Sequence, residues 1–427
     1  MKHPLAVGLR AFVSTCALTW ALAGVGSAQA QTFTYLGQQI VPSGQVFAGT
    51  TVGGLSGLDR KANGNYVAIS DDRSGLNPAR FYELGLDLNQ FVRSATPGFA
   101  GVGFLSVTTL LKPDGTAFAA NTVDPEALRI HPGSGNLLWA NEGQRGGAGV
   151  PALQNPTVRE MTPGGIYTRD FAVPTRYHPV GNGAADPGIR NNLAFESLTV
   201  STDGQTLYAA TENALVQDGP ATALGVASPS RIVSFNLATG AAGAEYVYRV
   251  EPVALPASPP GGFMTNGLVE LLAFGDRQFI AIERSFSAGA ATPGAGPFGP
   301  TGNTIRLYRV DARGATDVSG VASLVGAIYT PVAKTLLLNL SELKNDDGSS
   351  LALDNIEGIS WGPMVDGKQT LILVSDNNFG ALQFTQFVAL KLATPIPEPA
   401  TLSMLLGGLA VLLGRRATVR ATRSCCT

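Results

Sequence analysis

One module recurs five times along this chain, and no other feature limits the possible folds as strongly. Residues 126–145 read EALRIHPGSGNLLWANEGQR, 196–213 ESLTVSTDGQTLYAATEN, 270–284 ELLAFGDRQFIAIER and 357–378 EGISWGPMVDGKQTLILVSDNN. A fifth copy, SGLDRKANGNYVAISDDR at 56–73, carries Ser-Gly where the others carry Glu. Each copy is a loop residue, a short strand, a turn that mostly contains Gly, an apolar strand and an acidic end. The copies begin at 56, 126, 196, 270 and 357, so three steps are nearly equal and the last is longer. A further strand follows each acidic end. In ARFYELGLDL, SRIVSFNLATG and NTIRLYRVDARG it alternates as a strand with one buried face does. A hairpin with an outer strand, repeated at a near-constant period, predicts an all-β fold, a β-propeller of five or six blades. The long last step has room for a sixth module. FTYLGQQIV at 33–41 is expected to complete the blade begun by the last module and so close the ring. A pair of β-sandwiches is the competing architecture, but it leaves the equal steps unexplained.

The 52 Gly and 27 Pro punctuate short β-rich runs, as a turn-rich β fold requires. A net charge of −2 with no basic stripe argues against a nucleic-acid partner.

Both ends read as targeting segments. Lys2 and Arg10, an apolar run to Gly26 and the Ala28-Gln29-Ala30 site make residues 1–30 an expected signal peptide. At the other end, Pro397-Glu398-Pro399 precedes a short apolar helix expected at 401–414 and a basic tail with Arg415 and Arg416. That helix is shorter than the roughly 20 residues that span a bilayer comfortably. The three-part order at 397–427 resembles a PEP-CTERM sorting signal. The resemblance implies an exosortase as partner, membrane attachment before processing, and delivery to the surface or extracellular matrix of a Gram-negative bacterium. The exported domain is then 31–392. Cys16, Cys425 and Cys426 lie only in the targeting segments, so this domain has no disulfide or thiol chemistry.

Equivalent blade positions lie on one ring, so the module acids are expected to converge at one mouth of the central channel. The candidates are Asp71, Asp72, Glu126, Glu142, Glu196, Glu212, Glu270, Glu283, Glu357 and Asp376. Crowded carboxylates repel, and cations, arginines or shared protons must offset this. Oxygen ligands with no Cys and almost no His suit Ca²⁺ rather than Zn²⁺. Asp71, Asp72, Glu142, Glu212, Glu283, Asp376 and Asn377 are the candidate metal ligands; Asn378 also offers an oxygen. Arg73, Arg145 and Arg284 follow acids closely and are candidate clamps for a phosphoryl group. Glu126, Glu196, Glu357, Arg73 and Arg284 are the candidate catalytic set. The alternative is that the acids brace neighbouring blades and the arginines only balance them.

The segments GGLSGLD, AISDDR, DPEALRI, NLAFESLTVSTDGQTLYAATEN, AIER and NIEGISWG with LVSDNNF resemble the phytase-like domain family, described as esterase-like activity of phytase. They cover essentially the whole exported domain. The resemblance implies a propeller that hydrolyses phosphoesters, with calcium as its expected cofactor and an anionic small molecule as its substrate. A non-catalytic surface propeller that binds a ligand or matrix component, with a structural calcium site, is the other reading.

A serine triad is disfavoured. His131 sits in a turn sequence, His178 in a loop, and Ser56 does not fit the nucleophile-elbow pattern because Leu58 stands at its last Gly. NDDGSS at 345–350 reads as a turn, and Trp139 and Trp361 as core.

Overall fold

In a computed structural model the described residues, 33–146, 151–294 and 296–393, form a ring of five four-stranded antiparallel blades. Listed from the channel outward, blade one is Leu55–Arg60, Tyr66–Ser70, Arg80–Leu86 and Val102–Thr109. Blade two is Pro125–Ile130, Leu137–Asn141, Thr157–Met161 and Tyr167–Asp170. Blade three is Phe195–Val200, Thr206–Thr211, Ser228–Asn236 and Ala242–Val250. Blade four is Met264–Gly275, Gln278–Ser287, Asn303–Asp311 and Ala333–Asn339. Blade five is Asn355–Trp361, Thr370–Asp376 and Thr385–Leu392, completed by Phe33–Val41. That last pairing runs from Phe33↔Leu392 to Val41↔Thr385 and ties the start of the domain to its end. Among the described residues there is no sixth blade: the long final step is taken up by the outer strands of blade four and the segments around them. Both expected targeting segments lie outside the described residues. Among the described residues no helix is long and apolar enough to cross a membrane.

The blades stack through their faces, which is why their second strands are apolar on both sides. Tyr66 and Ala68 pack with Ile372, Val374 and Phe387 of blade five, whereas Val67 and Ile69 pack with Leu128 and Trp139 of blade two. The other three interfaces each hold their own apolar cluster. Successive side chains on a strand point to opposite faces, so one strand feeds two cores.

Five innermost strands leave a narrow channel. At Gly57 a Cβ would lie 2.6 Å from the Leu128 amide nitrogen, closer than atoms pack. Below the mouth the channel is filled by an ion pair. Arg129 meets Glu270 at 2.8 Å and donates to the Leu58 and Leu271 carbonyls, so it bridges blades one, two and four. Both side chains are buried. Removing one member of such a pair strands the other charge in a low dielectric. Arg129→Met is therefore expected to cost about 3–5 kcal/mol in chemical denaturation. Arg129→Met with Glu270→Leu should cost clearly less than Arg129→Met alone.

Candidate active site

Every innermost strand carries an irregularity in its ladder with the second strand, just past one particular pair. The pairs that precede it are Leu55↔Ser70, Pro125↔Asn141, Phe195↔Thr211, Leu268↔Glu283 and Ile356↔Ser375. A bulge re-aims the extra residue. Here the residues in that position are Ser56, Glu126, Glu196, Val269 and Glu357. One residue past that pair, the second strands present Asp71, Glu142, Glu212, Arg284 and Asp376. Two stacked rings of side chains result, and their charged members other than Glu142 line a cavity of about 690 Å³. Asp71, Glu126, Glu196, Glu212, Asp354, Glu357 and Asp376 line it together with Arg73 and Arg284.

Blade four departs from the sequence reading by one residue. The repeat aligns Glu270 and Glu283 with the ring acids, but the register puts Val269 and Arg284 there instead. A one-residue shift on a strand turns a side chain to the other face. Glu270 accordingly points down the channel to Arg129. Glu283 is taken up by the Tyr248 hydroxyl, Lys334 and Asn266, outside the cavity. Two more expected ligands are braces rather than cavity groups. Asp72 accepts from the amides of Gly75, Leu76 and Asn77 and pairs with Arg80 at 2.7 Å. Asn377 uses its carbonyl oxygen on the amides of Gly54 and Phe379. Arg145 donates to the carbonyls of Gly183, Asp186 and Ile189, so it holds a loop and clamps nothing in the cavity.

The structure adds Asp124, which the repeat did not select because no other module has an acid two residues before its loop Glu. Asp124, Glu126 and Glu142 each offer an oxygen within 4.8 Å of the others. Arg73 grips Asp124 through Nε at 2.8 Å and Nη2 at 2.5 Å, and also reaches the Asn192 side-chain carbonyl at 2.6 Å. Arg284 spans Glu212 at 3.3 Å and Glu357 at 3.1 Å. Gly267 makes room for this, since a Cβ there would sit 2.0 Å from Glu212 Oε1. Ser56, the residue in place of a glutamate, donates to Glu126 at 2.8 Å. Asn355 bridges Glu357 at 2.9 Å and Asp376 at 3.1 Å, while Asn378 lines the rim and donates its amide to Asp376. The Glu142 carboxylate also accepts the Ala194 amide.

Seven lining carboxyls against two lining guanidiniums leave the cavity short of positive charge. Burial, followed by the charges of Glu357 and Asp124, pushes Asp71 up to about 8, and Arg73 only partly opposes this. Burial raises Glu212 to about 7 against the pull of Arg284. Burial and then neighbouring carboxylates hold Glu126, Glu196 and Asp376 well above the usual range. One oxygen of Asp71 is buried with no hydrogen-bond partner. Neither histidine of the described residues, His131 or His178, lines the cavity. His131 accepts turn amides from Gly133 and Ser134.

Fold and site together define a five-bladed propeller with an acidic cavity at its channel mouth. The chain belongs to the phytase-like family, described as esterase-like activity of phytase, whose model matches residues 50–379. No curated protein matches the chain in sequence. Solved structures similar to it include the Dos1 propeller (9% identity, 82% of this chain and 71% of that one, TM-score 0.32). A thermostable family-43 glycoside hydrolase also matches (10% identity, 84% and 100%, TM-score 0.40). So does a gluconolactonase from Xanthomonas campestris (12% identity, 79% and 71%, TM-score 0.28).

The raised carboxyls fix a sign for pH dependence. A group whose folded pKa exceeds its unfolded one stabilises the fold below the unfolded value and loses that contribution as pH rises through the folded one. For Asp71 and Glu212 the loss runs from about pH 4 to pH 7–8. With divalent cations chelated, Glu212→Gln is expected to lose less stability than the wild type between pH 5 and pH 8 in urea denaturation. Parallel pH profiles would contradict this.

Proposed function

We propose that the protein is a divalent-cation-dependent phosphoester hydrolase, with Ca²⁺ as the cation and an anionic phosphoester as substrate. The observation that carries this reading is a cavity whose buried carboxyls outnumber its arginines and include an unpartnered Asp71 oxygen. An all-oxygen donor set suits a hard cation. Asp71, Asp124, Glu126 and Glu142 would hold it, with Glu212 and Asp376 as further oxygen donors nearby. When bound, such a cation supplies Lewis-acid polarisation of a phosphoryl group.

The chain's own residues do the rest. Arg284, and Arg73 opposite it in the lining, grip phosphoryl oxygens as charge develops on them. Glu196 has no hydrogen-bond partner among the described residues, and as a carboxylate it takes a proton from the attacking water. The water oxygen bonds to phosphorus, and the ester P–O bond breaks with its electron pair going to the alcohol oxygen. That oxygen is protonated and leaves, with Glu357 within the same lining as donor. Burial and then the charge of Glu142 raise Glu196 well above the usual carboxylate range. A base acts only once ionised, so activity rises with pH as Glu196 ionises.

A second reading has one observation in its favour. Both arginines are already ion-paired, Arg73 with Asp124 and Arg284 with Glu212 and Glu357, as braces of a ligand-binding or structural-calcium propeller would be. Arg284→Ala separates the two. A transition-state clamp costs roughly 10²-fold in kcat/KM when removed, with Ca²⁺-dependent stabilisation retained. A brace instead leaves Glu212 and Glu357 uncompensated, so stability falls while activity, if present, follows only the folded fraction. A wild-type protein that hydrolyses no phosphoester at any Ca²⁺ concentration overturns the hydrolase.

Export and removal of the C-terminal tail complete the proposal. Mass spectrometry of surface-exposed protein is expected to show neither residues 1–30 nor the tail from the sorting signal onward. An intact chain through Thr427 would contradict it.

A further inference from the structure

The rim of the cavity differs from its floor. Phe263, Phe286, Phe298, Pro300 and Leu382 line it above the carboxylates, and all come from blades four and five. Phe263 is 68% exposed and Leu382 93% exposed. Single exposed apolar residues are ordinary on a surface, but an apolar group continuous with a polar cavity marks a binding site. The group is organised. The rings of Phe263 and Phe286 lie 6.1 Å apart at 38°, and Phe298 rests on the buried Phe384 at 4.5 Å. Arg284 and Phe286 are two residues apart on one strand and therefore share a face. Their partners are Gly267 and Thr265, so Phe286 lies one repeat nearer the opening. One wall thus carries a guanidinium deep in the cavity and aromatic surface directly above it. The opposite wall is mostly polar, with Asp71, Arg73, Glu126, Asn192 and Glu196.

Charge limits the ligand further. Arg73 and Arg284 are the two cationic side chains in the lining, against seven carboxyls. That suits one phosphoryl group and repels additional ones. We infer that the substrate, on the hydrolase reading above, is a monoester of a single phosphate with an apolar, aryl-sized alcohol. Its phosphoryl group meets Arg284, and its alcohol lies on the shelf of Phe263, Phe286 and Leu382. The same lining disfavours a polyphosphate such as inositol hexakisphosphate, because no further cationic side chain lines the cavity to meet its other phosphoryl groups.

The test uses the purified protein with Ca²⁺ and two readouts. Calorimetry compares phenylphosphonate with methylphosphonate, and hydrolysis compares 2-naphthyl phosphate, glycerol 2-phosphate and inositol hexakisphosphate. The expected result is at least tenfold tighter binding of the phenyl compound and at least tenfold higher kcat/KM for the naphthyl ester. Phe263→Ala and Leu382→Ser, both at exposed positions, should reduce these preferences while leaving methylphosphonate binding unchanged. Equal binding of the two phosphonates overturns the shelf, even if every ester is hydrolysed. Hexakisphosphate as the best substrate overturns it too. Phenyl preference in binding with no ester hydrolysed keeps the shelf and overturns the hydrolase reading instead.

Discussion

Closing a ring with only five blades forces the innermost strands against one another, and this tight closure governs the site. Close contact admits only small side chains where the strands touch, as Gly57 against Leu128 illustrates. It also gathers whatever stands at a given register position from all five blades into a few ångströms. A carboxylate at such a position is harmless once and costly four times over, because burial and mutual repulsion both disfavour its charge. The chain repeats acids at two successive positions all the same. The protein offsets part of that cost with Arg284, Arg73 and the Ser56 hydroxyl. The remainder appears as carboxyls held above their ordinary range.

The same closure separates two kinds of buried charge. Lower in the channel, Arg129 and Glu270 match one for one and fill the space between blades. At the mouth, charges are unmatched and the space is open. A paired interior leaves nothing for a cation to join, whereas the opening offers excess carboxylate oxygen, including one of Asp71 that has no partner. Apolar side chains of blades four and five then make the opening one-sided, so a ligand entering it meets polar groups on one flank and rings on the other.

Much of this was legible in the chain because repetition reports register. Glu126, Glu196 and Glu357 line one cavity as their equivalent places at the start of each module imply, and FTYLGQQIV closes the last blade. Blade four misled for a physical reason. Its hairpin has acids at positions that look equivalent, but the separation from Glu270 to Glu283 is shorter than in any other copy. Only the ladder shows that Val269 and Arg284 hold the ring positions. Asp72, Asn377 and Arg145 carry side chains able to bind a metal or phosphate and spend them on backbone groups instead, a choice that depends on loop geometry. Asp124 was missed because its partners Glu142 and Arg73 are distant in sequence, and the apolar rim because it is assembled from three separate loops and one strand.

The central claim is that the excess negative charge at the channel mouth is a cation site. Anomalous diffraction from crystals of the protein grown with Mn²⁺ in place of Ca²⁺ tests it most directly. The account predicts a peak inside the cavity, within coordination distance of carboxylate oxygens from Asp71, Asp124, Glu126 or Glu142. A cavity without a peak at saturating Mn²⁺ and alkaline pH, or a cation bound only elsewhere on the protein, would contradict it.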